Sequence, residues 1–172
     1  TGQTSDLSES NLAGHSDLIG RLVMCCGLPC GFVCGSKRQL QLLIPEARCF
    51  LDVDDLKDIA DLEENVAQSG SILMFVSRGY FASVNCLREV VAAIDLKKPR
   101  IVVHEADTLK GGAGLEELRM ELTDVSHRNA IFSDDKSVIR WFRLADFQVQ
   151  SLLLIVQQML TSSPTYRNKA EP

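Results

Sequence analysis

The amino-acid sequence predicts a single α/β domain built on a doubly wound parallel sheet of five strands, with helices on both faces. Short apolar runs alternate with helical patterns from residue 31 onward, and uninterrupted apolar runs are typical of strands buried on both faces. Alternating strands and helices connect through right-handed crossovers. The flavodoxin-like form of this architecture has the strand order 2-1-3-4-5, and its ligands bind beyond the carboxyl ends of the strands at the switch point. The chain has 172 residues, of which 45% are hydrophobic, enough for one such core.

Each element is predicted from an apolar run or from a helical period. The strands are predicted at 31–34, 48–53, 71–77, 100–104 and 129–132. A stripe of apolar side chains at helical spacing predicts an amphipathic helix that packs through Leu87, Val90, Val91 and Ile94. A shorter period predicts a helix through Ile59, Leu62 and Val66, and two further helices are predicted at 115–122 and 137–160.

The two ends of the chain are expected to lie outside the domain. Residues 1–17 are rich in Ser, Gly, Asn and Asp and have little apolar surface to bury, so a disordered lead-in is predicted. The domain then spans 18–160 and a flexible tail spans 161–172. With a first strand at 31–34, only 38–44 remains for its helix before Pro45 ends it. Because a parallel crossover needs about a dozen residues, the first βα unit, 18–47, is predicted to be atypical.

Composition and charge exclude several classes of partner. A net charge of −5 argues against a nucleic-acid binder, which neutralises phosphates with clustered Lys and Arg. The apolar stretch 18–34 is interrupted by Arg21, Pro29 and two glycines, and it falls short of the roughly 20 residues of a membrane-spanning helix. We therefore expect a cytoplasmic domain without a transmembrane segment.

Cysteine usage indicates thiols in place of a disulfide scaffold. Four of the six cysteines crowd into one apolar stretch and two fall in predicted core elements: Cys25, Cys26, Cys30 and Cys34, then Cys49 and Cys86. Structural zinc sites need a second Cys pair after a longer spacer, which the stretch does not have. Acylation is an alternative, because cysteines beside apolar segments are palmitoylated. We expect free buried thiols in a reducing compartment.

A set of spaced residues between Arg48 and Glu89 carries the most specific signal in the chain. An apolar strand ends in an acidic loop, a helix and a second strand follow, and a polar phrase then opens the next helix. This stretch resembles the TIR (Toll/interleukin receptor) domain family in its motif residues Cys49-Phe50-Leu51-Asp52, Ser77-Arg78-Gly79-Tyr80, Ser83, Cys86-Leu87 and Glu89. The segment 138–152 is similar to the last helix of TIR-like domains of protists and algae, so the resemblance covers roughly 31–160 on a parallel-sheet architecture.

Glu89 has two interpretations. On the helical wheel it lies opposite the apolar stripe and within the first turn or so of its helix, where the dipole keeps a carboxylate ionised. Position alone favours an ordinary solvated glutamate. The resemblance implies more, because in TIR domains that cleave NAD⁺ the glutamate of this motif is catalytic. One ionised carboxylate can stabilise the oxocarbenium-like state formed when the nicotinamide–ribose bond breaks.

The resemblance also implies a role for other residues and for partners. The candidate substrate-binding residues lie near the switch-point pocket or in the motif around Glu89. They are Gly35, Ser36, Ser77 and Asn85, and Asn85 stands where the family usually has Trp. The self-association loop corresponds to Asp54, Asp55, Leu56, Lys57 and Asp58. The implied function is signalling by homotypic assembly with other TIR domains, with NAD⁺ as candidate substrate and no bound cofactor. The alternative is a non-enzymatic adaptor or scaffold.

The acidic loop permits one further interpretation. Asp52, Asp54 and Asp55 resemble a Mg²⁺ site or the phosphoacceptor cluster of receiver domains, which share this fold. Receivers draw their acids from the ends of strands one and three, whereas these residues follow strand two. One short loop seldom supplies the convergent oxygens that a hard cation needs. We expect a solvated loop and no metal site, and the chain has no Gly-rich phosphate loop for a nucleotide.

Overall fold

The computed structural model describes residues 21–26, 33–45, 48–51, 61–133 and 137–163. Its centre is a five-stranded sheet in which every pairing is parallel. The strand order is β2-β1-β3-β4-β5, which confirms the predicted flavodoxin-like order 2-1-3-4-5. The strands are β1 Arg21–Cys26, β2 Arg48–Leu51, β3 Ser71–Val76, β4 Arg100–Glu105 and β5 Ile139–Trp141.

At least one helix follows each strand along the chain, and two lie between β4 and β5. The helices are α1 Val33–Leu43, α2 Leu62–Ala67, α3 Val84–Asp95, α4 Leu115–Glu121, α5 Val125–Phe132 and α6 Ala145–Ser162, and a 3₁₀ turn spans Thr108–Lys110. In the described part of the chain, none of these helices is long and apolar enough to cross a bilayer.

The hydrophobic core lies in two layers, one on each face of the sheet. Neighbouring residues of β3 point to opposite layers, Leu73 into one and Met74 into the other, and both are buried. The first layer packs the sheet against α1 and α6, through Leu40, Leu152, Ile155 and Met159. The second packs it against α2, α3, α4 and α5, through Val66, Val90, Leu118 and Ile131. The sheet is therefore covered on both faces, as the prediction of a doubly wound fold requires.

The first predicted strand is wrong. Residues 33–34 of the predicted strand 31–34 belong to α1, and the strand that pairs with both β2 and β3 is Arg21–Cys26. Its central residues Leu22, Val23 and Met24 are buried, as expected of a strand in the middle of a sheet. Because the strand ends earlier, α1 has 11 residues instead of the seven predicted at 38–44.

The fifth predicted strand is also wrong. Residues 129–132 lie in α5, which begins after Asp124, whose carboxylate accepts a hydrogen bond of 2.8 Å from the backbone N–H of His127. The true edge strand, β5, has three residues and had been included in the helix predicted at 137–160. Ile139 and Trp141 are buried on either side of exposed Arg140, the alternation of a strand rather than of a helix.

At Gly112, just after the 3₁₀ turn, the backbone lies close to the backbone of Glu105 and Asp107. A Cβ atom at Gly112 would lie 2.5 Å from the carbonyl oxygen of Glu105 and 2.8 Å from both N and O of Asp107. These are backbone atoms, so the clash cannot be relieved by a side-chain rotation. We expect Gly112→Ala to lower the free energy of unfolding by about 1–3 kcal/mol, measured by urea denaturation.

Gly114→Ala is the matched control for this substitution. Nothing lies within 4 Å of the Cβ position of Gly114, only two residues further along. The control is expected to change the free energy of unfolding by less than about 1 kcal/mol. Equal losses in the two variants would contradict the role assigned to the Gly112 approach.

Candidate functional site at the carboxyl end of β3

Glu89 lies on the inward face of α3. Its side chain is only 2% exposed. The sequence pattern placed it opposite a core stripe of Leu87, Val90, Val91 and Ile94. Val90 is buried and Leu87 and Ile94 pack against the core, but the exposed position predicted for Glu89 is wrong. The buried face is instead formed at i, i+3, i+4 and i+7 spacing by Cys86, Glu89, Val90 and Ala93. A buried carboxylate is uncommon in proteins, so the interpretation of Glu89 as a solvated surface residue does not hold.

The start of α3 is fixed by its capping residue. Ser83 has extended backbone angles, and its Oγ accepts a hydrogen bond of 3.5 Å from the backbone N–H of Cys86. The preceding loop turns at Gly79, whose φ of +78° is in the left-handed region that favours glycine. Glu89 is therefore in the second turn of the helix, and Asn85, half-buried, is in its first turn.

Ser77 follows β3 directly and is completely buried. Its carbonyl oxygen accepts a hydrogen bond of 3.0 Å from the backbone N–H of Tyr80. Its hydroxyl oxygen has no hydrogen-bond partner in the described part of the chain. Buried hydroxyls are normally paired, so Ser77 Oγ is a polar atom with capacity for a further partner. Ser77, Asn85 and Glu89 are thus carried by one continuous β3–α3 unit.

Gly35 and Ser36 are placed differently from the expectation. The sequence pattern predicts a loop after the first strand, whereas both residues lie in the first turn of α1. Strands β1 and β3 are neighbours, and their following helices, α1 and α3, cover opposite faces of the sheet. The first turn of α1 and the loop before α3 therefore flank the switch point from its two sides. The predicted self-association loop, Asp54 to Asp58, lies outside the described residues, as does Asp52.

A residue that the sequence did not single out anchors the loop before α3. Glu121, at the end of α4, accepts a hydrogen bond of 2.9 Å from the backbone N–H of Gly79 through Oε1. The neighbouring backbone N–H of Arg78 donates to the carbonyl oxygen of Gly111 at 2.9 Å. These two bonds hold the segment that joins Ser77 to α3. Glu121 is 42 residues from Gly79 along the chain, and no local sequence signal relates the two.

A second polar cluster lies at the carboxyl end of β4. Glu105 is completely buried, and its Oε2 accepts a hydrogen bond of 2.5 Å from Nη2 of Arg143, beyond β5. Its Oε1 accepts a bond of 2.8 Å from the backbone N–H of Asp107. Nε2 of His104, the residue before Glu105, lies 2.7 Å from the carbonyl oxygen of Ala113. The ion pair joins the end of β4 to the connection between β5 and α6, outside the switch point between β1 and β3.

Three cavities that described residues line lie elsewhere. One of about 400 Å³ lies along the outer side of α3 between Glu63 and Asp95. One of about 430 Å³ lies beneath the start of β4, beside Lys97 and Arg100. The third, of about 230 Å³, lies beside Phe142 and Arg143. None of these three has Ser77 or Glu89 in its wall.

Two cysteines of the described residues are free and buried, as predicted for Cys49 and Cys86. Burial raises the pKa of the Cys49 thiol to about 11, against a smaller opposing effect of the Lys37 charge. Cys49 therefore stays protonated near neutral pH and is a packing residue rather than a nucleophile.

The fold and the residues at the carboxyl edge define a doubly wound α/β protein with a buried glutamate on the helix that follows its central strand. A comparison of the sequence with protein-family models matches none of them. A comparison with curated proteins also finds no match.

Proposed function

We propose that this chain is a TIR-type signalling module that acts by homotypic assembly and cleaves the nicotinamide–ribose bond of NAD⁺ with Glu89. The observation that carries the proposal is the burial of Glu89 on the inward face of α3, which the motif alone did not predict. A carboxylate held in a site of low dielectric stabilises a developing positive charge more strongly than one in water. Ionisation of the carboxylate at neutral pH is part of the proposal.

The chemistry requires few other groups. When the bond between the ribose carbon and the nicotinamide nitrogen breaks, its electron pair stays with the nitrogen, so nicotinamide leaves neutral and no general acid is needed. The positive charge passes to the ribose, where Glu89 stabilises it until water attacks. Ser77 supports the proposal because its buried hydroxyl has no partner among the described residues. Because Ser77 is completely buried, its hydroxyl contacts a ribose hydroxyl only if the substrate displaces the residues that cover it, whereas half-buried Asn85 presents an amide on α3.

A non-enzymatic scaffold is the second candidate, and a specific observation favours it. Val84 on the outer side of α3 is 72% exposed, and it borders the 400 Å³ groove together with partly exposed Leu87 and Val91. Exposed contiguous apolar surface is typical of protein–protein contacts. Docking of other TIR domains through such a surface would require no chemistry at Glu89. A cytoplasmic location is proposed for either function, because free thiols persist in reducing compartments.

The test is release of nicotinamide from NAD⁺ by concentrated protein, compared with Glu89→Ala under identical conditions. Circular dichroism confirms that both proteins are folded. Release that disappears in the variant is the expected result. If folded, self-associated protein releases no nicotinamide, the scaffold function is favoured instead. If the Glu89→Ala variant releases nicotinamide as fast as the wild type, the assignment of Glu89 is overturned.

A further inference from the structure

A basic cavity lies at the amino edge of the sheet, the edge opposite to Ser77. Its volume is about 430 Å³, and its wall is formed by the end of α3, the start of β4 and the end of α5. Lys97, Lys98 and Arg100 line it, and among the described residues no Asp or Glu does. The cavity therefore has a local positive charge, although the chain as a whole carries −5.

Backbone carbonyls hold the guanidinium of Arg100, the first residue of β4, in place. Nη1 donates to the carbonyl oxygens of Lys98 at 3.0 Å and Ala93 at 3.5 Å, and Nη2 donates to that of Ala130 at 3.3 Å. A carbonyl accepts a hydrogen bond but does not neutralise the positive charge. Burial accordingly lowers the pKa of Arg100, and no carboxylate of the described residues opposes that effect.

The guanidinium retains two N–H groups for a further partner. It has five N–H donors, and three of them form the bonds to the carbonyls. Nε donates to no acceptor of the described residues, and Nη2 has one N–H left. Nε and Nη2 form the edge through which arginine binds an oxyanion with two parallel hydrogen bonds. Arg88 uses the same edge to bind Glu63, at 2.7 Å for both bonds.

The two lysines at the end of α3 add further charge. The Nζ atom of Lys98 is fixed by the carbonyl oxygens of Ala67 at 2.5 Å and of Ser69 at 2.8 Å. Lys97 is exposed and takes part in none of the ion pairs of the described residues. Its φ of +52° is in the left-handed region, which at a helix end usually belongs to glycine. A cation therefore stands where glycine would be the less strained residue.

We propose that this cavity binds a phosphate group, with the Nε edge of Arg100 on the phosphate oxygens and with Lys97 and Lys98 neutralising its charge. A phosphate ester carries almost two negative charges near neutral pH and matches the three cations better than a singly charged carboxylate does. The hydroxyl-bearing residues Ser133 and Ser137 complete a mainly polar wall, so the ligand is a small soluble phosphate compound. The inference does not rest on the proposed function, since Glu89 does not line this cavity.

The alternative role for these cations is structural. The carboxyl ends of α3 and α5 carry partial negative charge, which nearby cations stabilise. That role accounts for the bonds from Arg100 to Ala93 and Ala130. It does not require a lysine at position 97, where the backbone conformation favours glycine. A substitution at Lys97 therefore separates ligand binding from support of the helix ends.

The experiment is isothermal titration calorimetry of the whole chain with pyrophosphate at low ionic strength, repeated with acetate. The wild type is expected to bind pyrophosphate with a Kd below about 1 mM and acetate at least about 10-fold more weakly. Lys97→Gly is expected to weaken pyrophosphate binding about 5-fold or more. Its Tm is expected to equal or exceed that of the wild type, because glycine removes the left-handed strain. Arg100→Gln is expected to weaken binding about 10-fold or more, and circular dichroism checks its fold.

Lys110→Gln is the matched control. Lys110 is an exposed cation beyond the other end of β4, so its replacement removes the same unit of charge away from the cavity. The Kd for pyrophosphate is expected to stay unchanged. The proposal is overturned if the wild type does not bind pyrophosphate, if it binds acetate as tightly, or if Lys97→Gly binds pyrophosphate as tightly as the wild type does.

Two further measurements identify the occupant. Asp134 and Asp135 follow Ser133 in the sequence and lie outside the described residues. If pyrophosphate binds only after Asp134→Asn and Asp135→Asn are combined, carboxylates of the chain itself compete for the site, and the proposal for the wild type is overturned. Co-sedimentation with phosphatidylcholine vesicles that contain phosphatidic acid, without binding of pyrophosphate, would overturn the assignment to a soluble ligand in favour of a lipid headgroup.

Discussion

Glu89→Gln is expected to reduce nicotinamide release by about 100-fold or more, the size of effect seen when one electrostatic contact to a transition state is removed. Glutamine has the shape of glutamate and retains a carbonyl oxygen, but it carries no charge. The packing of α3 on the sheet is therefore preserved while stabilisation of the ribose cation is lost. Release is measured by chromatography at saturating NAD⁺, so that the loss is read in kcat.

Glu116→Gln is the control for the change in charge. Glu116 is in the first turn of α4, its side chain is 79% exposed, and it pairs only with Arg119 among the described residues. It removes the same unit of charge at a distance from α3, and it is expected to leave the rate unchanged. A Glu89→Gln protein that is folded and retains more than about a tenth of the wild-type rate would contradict a catalytic carboxylate at this position.

Arg143→Met is expected to lower the free energy of unfolding by about 3 kcal/mol or more, because it leaves the buried carboxylate of Glu105 without its cation. Methionine retains much of the volume of the arginine side chain, so the loss reports on charge rather than on a cavity. Urea denaturation followed by circular dichroism measures it.

Two further variants make this prediction specific. Adding Glu105→Gln to Arg143→Met removes the uncompensated charge, and we expect more than half of the lost stability to return. Arg78→Met breaks the exposed pair with Glu117 and is expected to cost less than about 1 kcal/mol. A loss in Arg143→Met no larger than in Arg78→Met would show that the Glu105 pair does not stabilise the fold.

Strands β3 and β4 could be predicted from the sequence, whereas β1 and β5 could not. β3 and β4 are continuous apolar runs with Gly or Pro close before them, and their positions were predicted to within one residue. β1 begins with Arg21 and continues into a run of cysteines and glycines, which moved the predicted strand downstream. β5 has only three residues, too few to establish an alternating period beside the strong helical pattern of α6.

The inward face of α3 was mispredicted for a physical reason. The sequence pattern selects the largest apolar residues as the buried ones, here Leu87 and Val91. Where α3 lies against the sheet, the inward positions are instead Cys86, Glu89, Val90 and Ala93, of which only Val90 belongs to the predicted stripe. Packing against the sheet determines which face of α3 is buried. The larger side chains of Leu87 and Val91 border a groove on the other side of the helix. The identity of the candidate site residue was therefore predictable from the motif, but its burial was not.

The same limit applies to contacts between distant residues. Glu105 and Arg143 are 38 residues apart, and Gly79 and Glu121 are 42 apart. Each pair is brought together by the parallel topology, because the carboxyl ends of neighbouring strands and their connections meet at one edge of the sheet. A single sequence contains each of these residues but nothing that pairs them.

The measurement that tests the central claim most directly is the rate of nicotinamide release from NAD⁺ as a function of protein concentration, with sedimentation velocity on the same samples. If the chain cleaves NAD⁺ as an assembled module, the rate per molecule rises as the protein associates, and it disappears in Glu89→Gln at every concentration. A folded protein that associates fully and releases no nicotinamide would contradict the claim of catalysis. A rate per molecule that is constant across the association range would contradict its dependence on assembly.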